Sequence, residues 1–203
     1  MYRLFVKRAL DIVFAMLLLP FVGATLAFVG LLIWMEDGGP VFYNHERLGR
    51  DGILFRMYKL RTMRVNAPDI RNEDGSTFSS AVDPRLTRIG AILRRSSIDE
   101  LPQIFNVLKG NMSFVGPRPD LPEHLGLYRG NEVVKLRVLP GITGYNQAFF
   151  RNTVEWKQRL KNDVYYAERL SCLLDMRVLL ATIVGVCKQK GIFSTQSKRE
   201  AKQ

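Results

Sequence analysis

The chain has 203 residues, enough for one domain with a substantial core and short for two independent ones. Lys and Arg outnumber Asp and Glu by 30 to 19, and the net charge of +11 calls for a polyanionic partner: nucleic acid, an anionic membrane surface or a phosphorylated substrate. The only cysteines, Cys172 and Cys187, rule out a disulfide-stapled secreted scaffold, and His45 and His124 form no zinc or haem motif.

The first element is IVFAMLLLPFVGATLAFVGLLIWM, Ile12 to Met35, 24 residues without a charge. That passes the length test for a membrane helix. The apolar core of a cleavable signal spans about 7–15 residues, and this run is longer. Pro20 removes a backbone donor inside the run and predicts a kink. Arg3, Lys7 and Arg8 precede the run, and the remainder of the chain is basic as well, so both ends favour the cytoplasmic side. Two readings stand on these residues alone: a re-entrant helix bent at Pro20, and a straight span that tolerates its proline.

Glu36-Asp37-Gly38-Gly39-Pro40 ends this segment, and β-prone runs on either side of Gly49-Arg50-Asp51-Gly52 predict a hairpin. Asn66 to Asp83 is polar and rich in turn formers, which predicts an exposed loop. Asp83-Pro84 is expected to open a helix carrying Leu86, Ile89, Ile92 and Leu93, and a second helix is expected from Pro102 to Lys109, stopped by Gly110. Val138 to Gly144 reads as a tight turn. Val154 to about Lys190 reads as one long amphipathic element whose apolar end suits an interfacial helix, and the tail as disordered.

The chemistry concentrates between Ser96 and Asp120. Ser97-Ile98-Asp99-Glu100 matches a capping box, which would make both acids simple helix starters. Pro102 would then sit inside the helix, where its missing N–H is needed; a helix starting at Pro102 leaves Asp99 and Glu100 just outside its N-terminus. An ionised aspartate there can attack phosphorus, and a neighbouring carboxylate can hold Mg²⁺. Arg118, locked between Pro117 and Pro119, can aim a guanidinium at a phosphate, and Arg94 and Arg95 lie four to six residues before the acids. On the residues alone, phosphoryl chemistry and a plain surface turn both remain open.

The chain resembles the bacterial polyprenyl-phosphate phosphoglycosyl transferases, the monotopic sugar transferases that start membrane-bound glycan assembly. The resemblance rests on KRALD (7–11), YKLRTM (58–63), DPRLTRIGAILRRSSIDELPQIFNVLKGNMSFVGPRP (83–119), PGITG (140–144), Arg151-Asn152, and DVYY with the later LLD (163–175), in that order. It implies an α/β, mainly helical monotopic membrane protein: a Pro-broken re-entrant helix over 1–37, a small cytoplasmic-face catalytic domain over 38–192 with interfacial amphipathic helices, and a flexible tail over 193–203. It also implies that Asp99 is the nucleophile toward the β-phosphate of a UDP-sugar. A covalent aspartyl phosphosugar would form with release of UMP, and undecaprenyl phosphate would then accept the phosphosugar in a ping-pong reaction. Asp99 and Glu100 would hold Mg²⁺, while Lys59, Arg94, Arg118, Arg151 and Asp175 would line the phosphate and metal site. The implied partners are the UDP-sugar, undecaprenyl phosphate and the lipids of the bacterial inner membrane, with no nucleic acid; self-association is compatible with the sequence, which does not fix it.

Two departures stand out: Leu19 precedes Pro20 where the family usually has serine, and Phe149-Phe150-Arg151-Asn152 replaces its Asn-Gly-Arg-Asn. The alternative is a membrane-tethered basic adaptor for anionic lipid or nucleic acid, which leaves the Asp99-Glu100 pair and Arg118 without a task.

Overall fold

The computed structural model describes residues 2–70, 83–150 and 154–187. Most of the loop expected over 66–83, and the tail expected over 193–203, lie outside the described residues. A π-helical turn, Tyr2–Val6, leads into α1 (Lys7–Asp37); β1 (His45–Leu48) and β2 (Leu54–Met57) follow. Helices α2 (Arg88–Ser96) and α3 (Gln103–Lys109) flank a 3₁₀ turn, Ile98–Glu100. Strands β3 (Ser113–Val115) and β4 (Gly141–Thr143) bracket two 3₁₀ segments, Pro122–Leu127 and Gly130–Arg137, before α4 (Tyr145–Phe149), α5 (Trp156–Arg169) and α6 (Cys172–Cys187). The described chain is thus mainly helical, with two small two-stranded sheets.

Among the described residues, α1 is the one helix long and apolar enough to cross a membrane. Yet it docks on the rest of the chain along its whole length. Lys7, Asp11, Ala15, Val22, Val29, Gly30 and Ile33 are buried, a spacing that keeps them on one stripe. Ala15 and Val22 pack with Phe55, Met57 and Ile104; Val29 and Ile33 pack with Leu60 and Leu93. Polar anchors hold both ends. Lys7 Nζ is 2.6 Å from Asp175, and Asp11 accepts from the Ser113 hydroxyl and the Phe114 N–H, each at 3.0 Å. At the other end Arg61 grips Asp37 through two hydrogen bonds of 2.5 and 2.7 Å. Glu36 accepts from the N–H groups of Arg88 and Ile89 at 2.7 and 3.2 Å, satisfying free donors at the start of α2. The opposite face presents Phe14, Phe21, Phe28, Leu31, Trp34 and Met35, each between 50% and 74% exposed.

Pro20 does not end the helix: α1 is continuous from Lys7 to Asp37 with Pro20 inside it. The residue sits on the exposed face, so its ring and lost hydrogen bond disturb no packed contact. The Thr25 hydroxyl bonds back to the Phe21 carbonyl at 2.8 Å, a contact that favours bending without a break.

β1 and β2 form the expected antiparallel hairpin, with His45 opposite Met57 and Leu48 opposite Leu54; the connecting turn uses positive φ at Asp51 and Gly52. Other expectations shift. The first helix after the loop starts at Arg88, capped by the Thr87 hydroxyl accepting from Gly90 N–H at 2.9 Å, because Asp83 is engaged in a bidentate pair with Arg85 instead. The C-terminal region is two helices divided at Leu170-Ser171, not one.

The segment read as a tight turn contains β4, which pairs in parallel with β3, Ser113 opposite Gly141 and Val115 opposite Thr143. A Cβ on Gly141 would fall 2.1 Å from Gly116 N, so the two backbones meet at a distance only glycine permits. This pairing carries Gly116-Pro117-Arg118 from β3 into the candidate site.

Candidate active site

α2 stops because Ser97 adopts a left-handed conformation (φ 59°), returning its N–H to the carbonyls of Arg94 and Leu93. The chain then makes the single 3₁₀ turn containing both acids, and Pro102 stands at the N-cap of α3. The Ser97 side chain caps nothing, so the capping-box pattern is not realised. Asp99 and Glu100 occupy a corner between two helices.

Asp99 is only 2% exposed, and its Oδ2 is 2.7 Å from Lys59 Nζ. The Asp99 carbonyl also accepts from Leu60 N–H at 2.9 Å, fixing the Lys59-Leu60 segment against the corner. Glu100 Oε1 lies 2.9 Å from Arg118 Nη2 and 3.7 Å from Lys59 Nζ. Burial and the neighbouring Glu100 raise the Asp99 carboxyl above its ordinary value, against the pull of Lys59. Burial also works against ionising Glu100, but Arg118 and Lys59 outweigh it and hold that carboxyl at about 2. Adjacent acids are therefore driven apart in proton affinity by different cation coverage.

Arg94 projects from α2 to the same corner, its Nε donating to the Thr62 hydroxyl at 3.1 Å, and its charge is felt by Asp99. Lys59, Arg94, Asp99, Glu100 and Arg118 all line one cleft of about 1060 Å³ whose wall includes Leu18 and Val22 of α1. Arg118 is half exposed at this cleft. The structure thus brings together five of the residues expected from the sequence.

Asp175 is placed elsewhere. Its Oδ2 takes the Tyr2 hydroxyl and Lys7 Nζ, each at 2.6 Å, and its Oδ1 the Tyr166 hydroxyl at 2.6 Å. It clamps the start of α1 to α5 and α6 and is not among the residues that line the cleft. Arg151 lies outside the described residues.

Sequence reading missed the support behind Arg118. Lys135 Nζ, buried, is 2.7 Å from both Asp120 and Asp163 and donates to the Arg118 carbonyl at 3.3 Å. Tyr128 donates to Asp120 and Asn146 to Asp163, each at 2.7 Å. Burial opposes the charge on Asp120, but Lys135 and these hydrogen bonds hold it well below the usual carboxylate range. Asp163 appeared in the sequence only as part of DVYY; a lysine in the irregular Gly130–Arg137 segment carried no signal of its own.

A family model described as "Bacterial sugar transferase" matches residues 2–189. The exopolysaccharide production protein ExoY of Rhizobium meliloti is 37% identical over 199 residues, covering 92% of this chain and 88% of that protein. An uncharacterized sugar transferase, EpsL, of Bacillus subtilis is 39% identical over 189 residues, covering 93% and 91%. The undecaprenyl-phosphate galactose phosphotransferase of Salmonella typhimurium is 36% identical over 200 residues, 93% of this chain but 42% of that protein. With the match running almost end to end across the acidic corner and its cations, this chain belongs to the bacterial sugar transferase family.

Proposed function

We propose that this chain transfers a phosphosugar from a UDP-sugar to undecaprenyl phosphate, the first membrane step in assembling a bacterial glycan. The observation that carries the reading is the buried Asp99 carboxylate, 2.7 Å from Lys59 and beside Arg118-bound Glu100, in a cleft walled on one side by the apolar helix α1. A water-soluble diphosphate and a lipid-borne phosphate both have a route to that corner.

In the first half-reaction an Asp99 Oδ attacks the β-phosphorus. The bond to the bridging oxygen breaks, that oxygen leaves with UMP, and the sugar phosphate remains as an ester on Asp99. In the second, an oxygen of undecaprenyl phosphate attacks the same phosphorus, the Asp99–phosphorus bond breaks, and the carboxylate is regenerated. Lys59, Arg94 and Arg118 supply fixed positive charge toward the phosphate oxygens, where phosphoryl transfer gains most.

The donor set fits Mg²⁺. Asp99 and Glu100 offer two adjacent hard-oxygen ligands, which would hold the ion together with substrate phosphates. When bound, Mg²⁺ would neutralise charge on the diphosphate.

The two-ended docking of α1 supports monotopic insertion. A 31-residue helix is about 46 Å long, and the hydrocarbon layer about 30 Å thick. Were α1 to cross straight through, the domain gripping both Lys7 and Asp37 would have to enter the hydrocarbon with it. Shallow insertion leaves the exposed apolar face in lipid and the gripped face on the domain.

The test is UMP release from a panel of UDP-sugars in detergent with Mg²⁺ and undecaprenyl phosphate, paired with intact-protein mass without acceptor. UMP release and a mass gain of one phosphosugar are expected. A folded sample that releases no UMP from any donor overturns the reading.

A further inference from the structure

The cleft that holds the acidic corner is also lined by His45 of β1, Gln147 of α4, and Trp156 and Arg159 of α5, and this part of its lining is called the basin below. Six buried polar atoms of these four residues, His45 Nδ1 and Nε2, Gln147 Nε2 and Oε1, Trp156 Nε1 and Arg159 Nε, have no hydrogen-bond partner among the described residues. Folded chains rarely leave such groups unmatched, since each costs about 1–3 kcal/mol when unsatisfied. Their presence in the lining of one cleft points to a surface completed by a polar molecule. His45 also feels the charges of Lys59 and Arg118, so the basin adjoins the phosphate corner.

Resting on the reading of this chain as a phosphosugar transferase, we propose that the basin is the subsite that reads the saccharide of the donor, with Gln147 as a specificity-determining residue. Three features of the chemistry favour a saccharide. Gln147 and His45 each combine donor and acceptor capacity, while Trp156 and Arg159 donate, a mixture that matches hydroxyl and acylamino groups. Burial holds His45 neutral, with its proton affinity lowered to about 3, so the basin is less cationic than the corner that faces the phosphates.

The third feature is the geometry of displacement. In an in-line reaction at phosphorus the nucleophile and the leaving oxygen lie on one axis. UMP leaves opposite Asp99, and the acceptor phosphate must later attack opposite Asp99, so nucleotide and lipid phosphate share one lane in turn. The sugar hangs from an oxygen off that axis and stays bound through both half-reactions. It needs a place apart from the lane that meets α1, and the basin supplies one.

The test compares Gln147→Leu and Gln147→Asn with the unaltered enzyme on UDP-glucose, UDP-galactose and their N-acetylated counterparts, which share one nucleotide. It adds inhibition by UMP and thermal unfolding of each variant. The expected result is a change of at least about tenfold in the ratio of kcat/KM between preferred and competing sugars for Gln147→Leu, with UMP inhibition unchanged; about tenfold or more is the scale of a lost hydrogen bond to a substrate hydroxyl. Gln147→Asn, which keeps the amide, should retain part of the preference and serves if the leucine variant does not fold. A uniform loss over all donors with weakened UMP inhibition would assign the basin to the nucleoside and overturn the proposal. Unchanged ratios in a folded variant would show that water satisfies these groups, and would overturn it equally. No UMP release by the unaltered enzyme would overturn the transferase reading itself, and the subsite with it.

Discussion

Lys59 Nζ stands 2.7 Å from Asp99 Oδ2, and the next residue, Leu60, donates its N–H to the Asp99 carbonyl. One short segment after β2 therefore fixes both the position and the charge of the proposed nucleophile. Replacing Asp99 with Asn keeps the shape and removes the nucleophile. UMP release should fall by at least about 10³-fold, the scale of losing a covalent catalyst, with thermal unfolding little changed. Substantial residual turnover would take Asp99 out of that role.

The same pair sets a pH dependence. Burial and Glu100 raise the Asp99 carboxyl and Lys59 lowers it, so the active, ionised form is lost as pH falls through a value above the ordinary aspartate range. Lys59→Met removes the lowering influence. The acid limb of kcat/KM should move to higher pH, together with a rate loss of about 10²-fold from the missing cation. An unmoved limb would separate Lys59 from Asp99 ionisation.

Arg118 offers a different contrast. Its guanidinium holds Glu100 at 2.9 Å and is half exposed to the cleft. Arg118→Lys retains charge but not the planar fork, and should cost about 10-fold or more in kcat/KM, with Arg118→Ala costing more still. Equal activity of the lysine variant would show that charge alone suffices there.

Lys135 is predicted to matter for stability before chemistry. Lys135→Met leaves Asp120 and Asp163 buried without their shared cation, and should destabilise the fold by about 3–5 kcal/mol. Adding Asp163→Asn should recover part of this in thermal unfolding. Additive losses would mean the three groups are not coupled.

Metal dependence follows from the proposed Mg²⁺ ligands. Excess EDTA should stop UMP release, and Mg²⁺ should restore it. Full activity in EDTA would reject the ion.

What the sequence made legible was local. Gly49-Arg50-Asp51-Gly52 announced the hairpin because its positive-φ positions demand such residues, and Pro102 and Gly110 bounded α3 by the backbone limits of proline and glycine. The acidic corner was placed just outside a helix by the same reasoning. Long-range pairing was not legible. Three-residue strands β3 and β4 have too little pattern to declare a partner, and their parallel union depends on glycines meeting across the fold. The break at Leu170-Ser171 lacks Gly or Pro, so two helices read as one. The contacts of Asp175 with Tyr2 and Lys7 were not legible either, because those partners lie 173 and 168 residues away in sequence.

That last separation bears on biogenesis. Lys7 leaves the ribosome 168 residues ahead of Asp175. Helix α1 must therefore wait, unclamped at its leading end, until the closing helices are synthesised and fold back upon it. A ribosome stalled before residue 175 would hold a nascent chain whose longest helix still lacks this latch.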